Sequence, residues 1–202
     1  MQNPQPHHIK QQINCLLYMV SIADKGITFT RVGPPQQLHW GFNMDILLGW
    51  ADATWADRSD DNDARSTTGL MWETNQGLIM WYTGKQNNIT LSSCESEVMA
   101  NKSCCQQGIW LRGIYTDLGA SFTKPSKIMQ DNTGAMAMAK TDANQTKSRH
   151  YRVACAYIRE CYNRRIFSFE WIQTLDMKAD ILTKPIMQPH HGRHERAITR
   201  CT

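Results

Sequence analysis

Ile46-Leu47-Leu48-Gly49-Trp50-Ala51-Asp52-Ala53, residues 46–53, is an apolar run with one carboxylate near its end. A short apolar run bounded by polar segments reads as a buried strand. The next thirty residues supply its neighbours. Asp57 to Arg65 is a charged turn. Thr67–Thr74 and Leu78–Thr83 are rich in strand-forming residues and are separated by Asn75-Gln76-Gly77, a hairpin signal. Asn88–Ser92 is positioned to extend the sheet. The region therefore predicts a meander of three antiparallel strands.

The pattern changes after Ser92. Ser93 reads as an N-cap for a helix from about Cys94 to Leu118, with Val98, Cys105, Ile109 and Leu118 among its apolar positions and Gly119 as its stop. Acidic residues in its first turn suit the helix dipole. Ser126–Asp131 is a short strand, Thr133–Lys140 a short helix, and Thr141–Ser148 a polar, mobile segment. His150–Asn163 is a helix, Ile166–Ile172 alternates like a strand, and Asp176–Lys184 is a final helix ended by Pro185. Upstream, His8–Ile22 is a helix with an apolar stripe of Ile9, Ile13, Leu16, Leu17 and Val20. Gly26 ends it, Ile27–Thr30 reads as a strand, and residues 32–44, with Gly33-Pro34-Pro35, as a loop. Residues 187–202 have no periodicity and are expected to be a disordered basic tail. The order predicts an α/β fold whose sheet begins as a meander and ends in crossover strands. It also divides the chain into an extension (1–44), a main domain (45–186) and the tail (187–202).

At 202 residues the chain holds one ordinary domain plus extensions. No apolar run approaches the roughly 18 residues a membrane span requires. The seven cysteines form no Cys-x-x-Cys, so neither a zinc site nor a disulfide framework is expected; the thiols read as buried and reduced. The formal net charge of +4 suits a nucleic-acid partner, with Arg149, Arg152, Arg159, Arg164 and Arg165 in one segment and Arg193, Arg196 and Arg200 in the tail. The absence of targeting signals predicts the cytosol.

Four acidic residues stand in settings that bring distant carboxylates together: Asp52 and Asp131 at strand ends, Glu97 in the first turn of the long helix, and Asp180 on the last one. Ligands of open α/β sheets collect beyond the carboxyl ends of the strands, so Asp52 and Asp131 share an edge if the first and fourth strands are neighbours. Carboxylate oxygens are the ligands Mg²⁺ prefers, and a pair of such ions serves in-line displacement at phosphorus. Without metal, crowded carboxylates raise one another's pKa.

These motifs resemble the ribonuclease H domain of copia-type (Ty1/copia) retrotransposon Pol polyproteins. Gly49-Trp50-Ala51-Asp52-Ala53-Thr54-Trp55-Ala56 is similar to that family's Gly-Tyr-Ser-Asp-Ala-Asp-Trp-Ala, and Arg65-Ser66-Thr67-Thr68-Gly69 to its Lys-Ser-Thr-Ser-Gly. Leu91-Ser92-Ser93-Cys94-Glu95-Ser96-Glu97 resembles Leu-Ser-Ser-Thr-Glu-Ala-Glu, and Ile109-Trp110-Leu111-Arg112 recurs as written. Asp131-Asn132 followed by Ala135, and Ala179-Asp180-Ile181-Leu182-Thr183-Lys184-Pro185, complete the series. The resemblance covers about residues 5–187, and its N-terminal part resembles the end of a reverse-transcriptase connection.

The resemblance implies a ribonuclease H-like fold: a five-stranded mixed sheet, three antiparallel strands then crossover strands, with flanking helices. It implies hydrolysis of the RNA strand of RNA–DNA hybrids by two Mg²⁺ ions, with Mn²⁺ as the alternative, held by Asp52, Glu97, Asp131 and Asp180. Glu97 is chosen over Glu95 because Glu97-Val98-Met99-Ala100 fits the wider family's Glu-Leu-x-Ala; Glu95 is left as a solvated or dipole-facing residue. The implied partners are the hybrid and the rest of a Pol polyprotein, with no membrane and an open oligomeric state; the implied location is the cytoplasm or a virus-like particle. Ser92, Ser93 and Asn132 are candidates for ribose 2′-hydroxyls, with helix capping as their other role. Lys85, Gln86, Lys147, Arg149 and Arg152 are candidates for phosphates. Trp55, Trp72, Trp81 and Trp110 read as core.

The chain departs from the family at Thr54, which replaces an Asp, and at Arg152, which replaces the Asp of Lys-His-Ile-Asp-Ile. Many ribonucleases H carry a His in the loop before the last Asp; here that loop is Gln173-Thr174-Leu175-Asp176, leaving His150 as the substitute. Such drift makes an inactive relic that binds without turnover the alternative reading. A strand transferase of the integrase kind would carry its Glu last, whereas here Glu97 comes second.

Overall fold

Along Leu48–Thr54 the side chains alternate between two buried environments, and that alternation organises the molecule. Ala51 and Ala53 join one cluster with Leu70, Trp72, Val98, Ile128 and Phe167; Trp50 joins another with Met71, Leu78, Met177 and Ala179. A strand buried on both faces needs a cover on each. The computed structural model, which describes residues 5–29, 42–43, 47–56, 63–74, 77–140 and 149–199, supplies helices on one face and a C-terminal segment on the other.

The elements in chain order are α1 (Pro6–Ser21), β1 (Phe42–Asn43), β2 (Leu48–Thr54), β3 (Thr67–Thr74), β4 (Gly77–Lys85), α2 (Ser93–Asp117), β5 (Ala120–Ser121), β6 (Ser126–Gln130), α3 (Thr133–Lys140), α4 (Arg149–Asn163), β7 (Phe167–Trp171) and α5 (His190–Thr199). Two 3₁₀ turns, Thr174–Asp176 and Lys178–Leu182, lie between β7 and α5. The main sheet has the order β4-β3-β2-β6-β7. β2, β3 and β4 form the expected antiparallel meander, while β6 runs parallel to β2 and β7 parallel to β6. Gly49 pairs with Ile128 and Trp50 with Met129, so the first and fourth strands of this sheet are neighbours. A separate parallel ladder joins β1 to β5. The fold is α/β, a five-stranded mixed sheet with flanking helices, as the sequence predicts.

The helical layer sits unusually close to the sheet at one point. Gly108 of α2 faces the fully buried Trp72, and a Cβ there would lie 2.6 Å from Trp72 Cη2 and 2.7 Å from Phe167 Cζ. Alanine would favour the helix by roughly 0.5–1 kcal/mol, but overpacking two rigid rings costs about 1–3 kcal/mol, so packing decides the sign. Gly108→Val, which adds more bulk at the same place, is expected to lose about 3 kcal/mol or more in a denaturant melt.

The structure corrects several expectations. The described part of the expected tail, residues 187–199, is not featureless: His190–Thr199 form α5, with Gly192 and His194 buried and Ile198 packed against the second cluster. Contacts absent from local periodicity hold it. Lys25 Nζ lies 2.8 Å from Glu195 Oε1, and the Thr28 N–H donates to the Thr199 carbonyl at 3.1 Å. Asp176–Lys184 is not one α-helix, because Met177, at ψ 98°, is extended and splits the segment into its two 3₁₀ turns. Residues 27–29 are not a strand, and Asn88–Ser92 serve as the approach to α2 instead of extending the sheet. Of the four tryptophans read as core only Trp72 is; Trp55, Trp81 and Trp110 are exposed. The apolar stripe of α1 is exposed as well. Cys104, Cys105, Cys155 and Cys161 are buried and outside any disulfide, while Cys15 is exposed. Among the described residues no helix is long and apolar enough to cross a membrane. The Gly33-Pro34-Pro35 loop, residues 57–62 of the charged turn, the hairpin apex at Asn75-Gln76 and the polar segment 141–148, with Lys147, lie outside the described residues.

Candidate metal centre

β2 and β6 run side by side in the same direction, so Asp52 near the end of one and Asp131 just beyond the other emerge on one edge. α2 starts at that edge and turns Glu97 inward. Carboxylate oxygens of Asp52, Glu97 and Asp131 all lie within 4.8 Å of one another. Glu97 Oε1 accepts from the Ala53 N–H at 3.3 Å, which fixes the start of α2 to the end of β2.

Asp180 reaches the cluster from the other face, carried by the 3₁₀ turn Lys178–Leu182. It pairs with Asp52 and stands outside the triple. Lys184 Nζ lies 2.9 Å from Asp180 Oδ1 and 3.8 Å from Asp52 Oδ2, and Thr183 Oγ1 donates to Asp52 Oδ2. This strap is tied down at several points. Thr54 Oγ1 donates to the Thr183 carbonyl at 2.8 Å, and Thr83 Oγ1 to the Leu182 carbonyl at 2.6 Å. Lys178 Nζ meets both oxygens of the buried Glu73, at 2.7 and 2.9 Å. Gly69, the register partner of Asp52 on β3, leaves the space the strap occupies.

Sequence reasoning missed Thr183, Lys184, Gly69 and Gln130. Gln130 is fully buried at the end of β6; its amide nitrogen donates to Glu97 Oε2 at 3.3 Å, and its oxygen accepts from the N–H groups of Asp131, at 2.9 Å, and Asn132, at 3.2 Å. One side chain thus orients two of the carboxylate-bearing segments. Its signal in the sequence is its place immediately before Asp131.

The other candidates are more widely placed. Glu95 is buried: two residues from Glu97 on a helix points it elsewhere, and its Oε2 accepts from the Leu91 N–H at 2.8 Å. Of the two settings that the sequence leaves it, solvated or dipole-facing, the first fails and the second holds, since Glu95 lies in the first turn of α2. Ser92, not Ser93, is the N-cap, its Oγ accepting from the Glu95 N–H at 3.2 Å. Ser93 gives its carbonyl to Ser96 Oγ at 2.7 Å. Asn132 Oδ1 accepts from the Ala135 N–H at 3.0 Å and caps α3. Lys85 Nζ donates to the Arg65 carbonyl at 3.2 Å. Arg149 and His150 line a cavity of about 550 Å³ with Asn88, Met99, Lys102 and Tyr157. His150 Nε2 is 4.0 Å from Glu95 Oε1 and lies outside the carboxylate triple. Two further histidines that carry no sequence signal, His190 and His194 of α5, line a second cavity with Asp180 and Lys184.

The electrostatics test whether the cluster fits a cation. Burial, then the charges of Asp52 and Asp131, push the Glu97 carboxyl up to about 9, against the Ala53 and Gln130 hydrogen bonds. Burial, then Asp52, push Asp180 up to about 7, against Lys184. Four carboxylates face one ammonium, and the all-oxygen donor set is the one hard divalent ions select. The residues fit such an ion, and the uncompensated charge is what it would relieve.

In the metal-free protein this charge has a stability consequence. The native state holds protons on Glu97 and Asp180 that the unfolded chain releases near 4.5 and 3.8. Their contribution is fully present below those values and is lost as pH rises through about 7 for Asp180 and about 9 for Glu97. In EDTA, Tm is therefore expected to fall from pH 5 to pH 9, and Glu97→Gln to flatten the fall. An unchanged slope in that variant would remove Glu97 as its source.

No protein-family model matches the chain. It is 27% identical over 186 residues to the retrovirus-related Pol polyprotein from transposon RE1 of Arabidopsis thaliana, a match covering 92% of this chain and 12% of the relative. A Pol polyprotein from transposon TNT 1-94 of Nicotiana tabacum is 28% identical over 149 residues, 74% of this chain and 11% of the relative. The secreted RxLR effector protein 161 of Plasmopara viticola is 34% identical over 109 residues, 54% of this chain and 68% of that protein. The chain thus spans about an eighth of the length of the Arabidopsis Pol relative. Among solved structures, a ribonuclease H1 isolated from compost by a metagenomic approach matches with a TM-score of 0.52 at 12% identity, over 69% of this chain and 94% of that one. The prototype foamy virus protease–reverse transcriptase matches at 0.50 and 10% identity, over 85% of this chain and 22% of that one. At these identities the structural likenesses speak for the fold alone.

Proposed function

We propose that this chain, which is similar to retrotransposon Pol polyproteins and has a ribonuclease H-like fold, hydrolyses the RNA strand of RNA–DNA hybrids with divalent metal, in the service of reverse transcription. The observation that carries this reading is the convergence of Asp52, Glu97 and Asp131 at the carboxyl edge of β2 and β6, with Asp180 beside Asp52. Two Mg²⁺ ions held by these four residues would supply the activated water and the leaving-group stabilisation. The chain's own residues do the positioning. Gln130 holds Glu97 and the Asp131 backbone, and the Ala53 N–H holds the other Glu97 oxygen. Thr183 and Lys184 hold Asp52. The P–O3′ bond of the RNA breaks as water's oxygen joins phosphorus, leaving a 3′-hydroxyl and a 5′-phosphate. Ser92, Ser93 and Asn132 stand beside the carboxylates in sequence and would meet the 2′-hydroxyls that tell RNA from DNA. Lys85 and Arg149 would meet phosphates, and the Pol segments found in the longer relatives would deliver the hybrid.

The test is an end-labelled hybrid incubated with purified protein and Mg²⁺, beside duplex RNA, duplex DNA and an EDTA control. Cleavage of the RNA strand of the hybrid alone, abolished by EDTA, is the expected result. Mg²⁺ binding without cleavage of any substrate would support the alternative, a drifted copy that binds without turnover.

A further inference from the structure

Asp180 stands outside the carboxylate triple for a visible reason: it is engaged by a cation of the chain itself. Lys184 lies four residues after Asp180 on the same strap, and its Nζ sits 2.9 Å from Asp180 and 3.8 Å from Asp52. The same Asp52 oxygen accepts from Thr183 Oγ1. The two parts of the cluster are therefore unequal. The triple of Asp52, Glu97 and Asp131 meets the ammonium only at its edge, 3.8 Å from Asp52, whereas the pair Asp52–Asp180 brackets it directly, at 3.8 and 2.9 Å. A divalent ion bridging that pair must move the ammonium aside. Lys184 can move: its side chain is 37% exposed and sits on a flexible four-carbon stem, while the strap beneath it is fixed by Thr54, Thr83 and Lys178.

We propose that Lys184 is a built-in competitor for the second metal ion, so that the centre loads in order: one ion tightly at Asp52, Glu97 and Asp131, and a second weakly at Asp52 and Asp180, only when the ammonium is displaced. This rests on the metal-dependent nuclease reading and adds to it a residue that sets the gap between the two affinities. Displacing a part-exposed ion pair is a modest cost, worth about a fivefold weakening of the second site.

Mn²⁺ titration followed by electron paramagnetic resonance reads both sites without any turnover. The wild type is expected to bind one ion tightly and one weakly. Lys184→Met is expected to tighten the second site about fivefold and the first, which meets the ammonium only through Asp52 at 3.8 Å, by less, while Lys184→Arg, which keeps the charge, keeps the wild-type gap. Circular dichroism melts check folding, and Lys184→Gln serves if the Met variant does not fold. Equal second-site affinities in wild type and Lys184→Met, or Lys184→Arg behaving like Lys184→Met, would overturn the proposal. Should affinities stay equal while hybrid cleavage persists, Lys184 loses this role and the nuclease reading stands. Tightening in Lys184→Met with no cleavage by the wild type keeps the competitor and removes the nuclease. No ion bound by wild type or Lys184→Met removes both.

Discussion

Asp52→Asn is expected to cut hybrid cleavage by about a thousandfold, the loss that follows when several kcal/mol of charge stabilisation by a bound ion disappears, and at the same time to raise the Tm of the metal-free protein. Both effects come from one carboxylate that is 2% exposed. Asp52 belongs to the triple with Glu97 and Asp131 and also faces Asp180 across Lys184, so it is common to both proposed ion sites. Its charge helps raise the carboxyls of Glu97 and Asp180. An asparagine keeps an oxygen for Thr183 Oγ1 and gives up only a 3.8 Å ion pair with a part-exposed lysine. The relief of repulsion exceeds that loss, so the unloaded fold gains stability on the order of 1 kcal/mol, the usual exchange at a site kept under strain for function. Cleavage at the wild-type rate would remove Asp52 from the chemistry. Lost cleavage with an unchanged or lower Tm would show that the cluster is not under the strain described.

The features legible in the sequence are those carried by local pattern. The run from Ile46 to Ala53 and the hairpin around Gly77 announce the meander, because alternation and turn chemistry act within a few residues. Asp52 and Asp131 fall on one edge by virtue of their positions at strand ends, since parallel neighbours bring equivalent ends together. Glu97 is separated from Glu95 in the sequence by its resemblance to Glu-Leu-x-Ala, and the structure adds the physical reason, that helical residues two apart face different directions. The features hidden from the sequence depend on contacts between remote segments. Gln130 looks like any polar residue until the register sets it between Glu97 and Asp131. α5 has polar residues on most of its surface and shows no stripe; it forms against Ile198's cluster and the Lys25–Thr28 arm. The strap looks helical in sequence because Asp176 to Lys184 contains good helix formers, yet Met177 is extended there so that Met177 and Ala179 can reach the second cluster. The exposed Trp81 and Trp110 show the converse: residue type alone does not say which side of a strand or helix is covered.

Gly69→Ala is expected to lower cleavage about a hundredfold, the scale of a misplacement near 1 Å, while leaving the first metal affinity near wild type. Gly69 pairs with Asp52 across β2 and β3, and a Cβ on it would lie 2.6 Å from Thr183 Cγ2, 2.9 Å from Leu182 Cβ and 3.0 Å from the Ala179 carbonyl oxygen. These are atoms of the strap itself, on both sides of Asp180. The strap cannot slide away as a unit, because Thr54, Thr83 and the Glu73–Lys178 pair hold it at separate points. The added methyl must therefore lift the segment that carries Asp180, Thr183 and Lys184 away from Asp52. A strand glycine replaced by alanine gains roughly 0.5–1 kcal/mol of backbone entropy, against an overpacking cost of about 1–3 kcal/mol, so the fold loses about 1 kcal/mol while remaining folded, and the larger damage falls on geometry. Glu97 and Asp131 reach the cluster from α2 and β6, whereas the added methyl meets the strap first, so the first ion still binds. That divides the two variants: Asp52→Asn weakens both sites, and Gly69→Ala weakens the one that needs Asp180. Wild-type turnover in Gly69→Ala would mean that Asp180 is dispensable, and the centre would reduce to the three carboxylates of β2, α2 and β6.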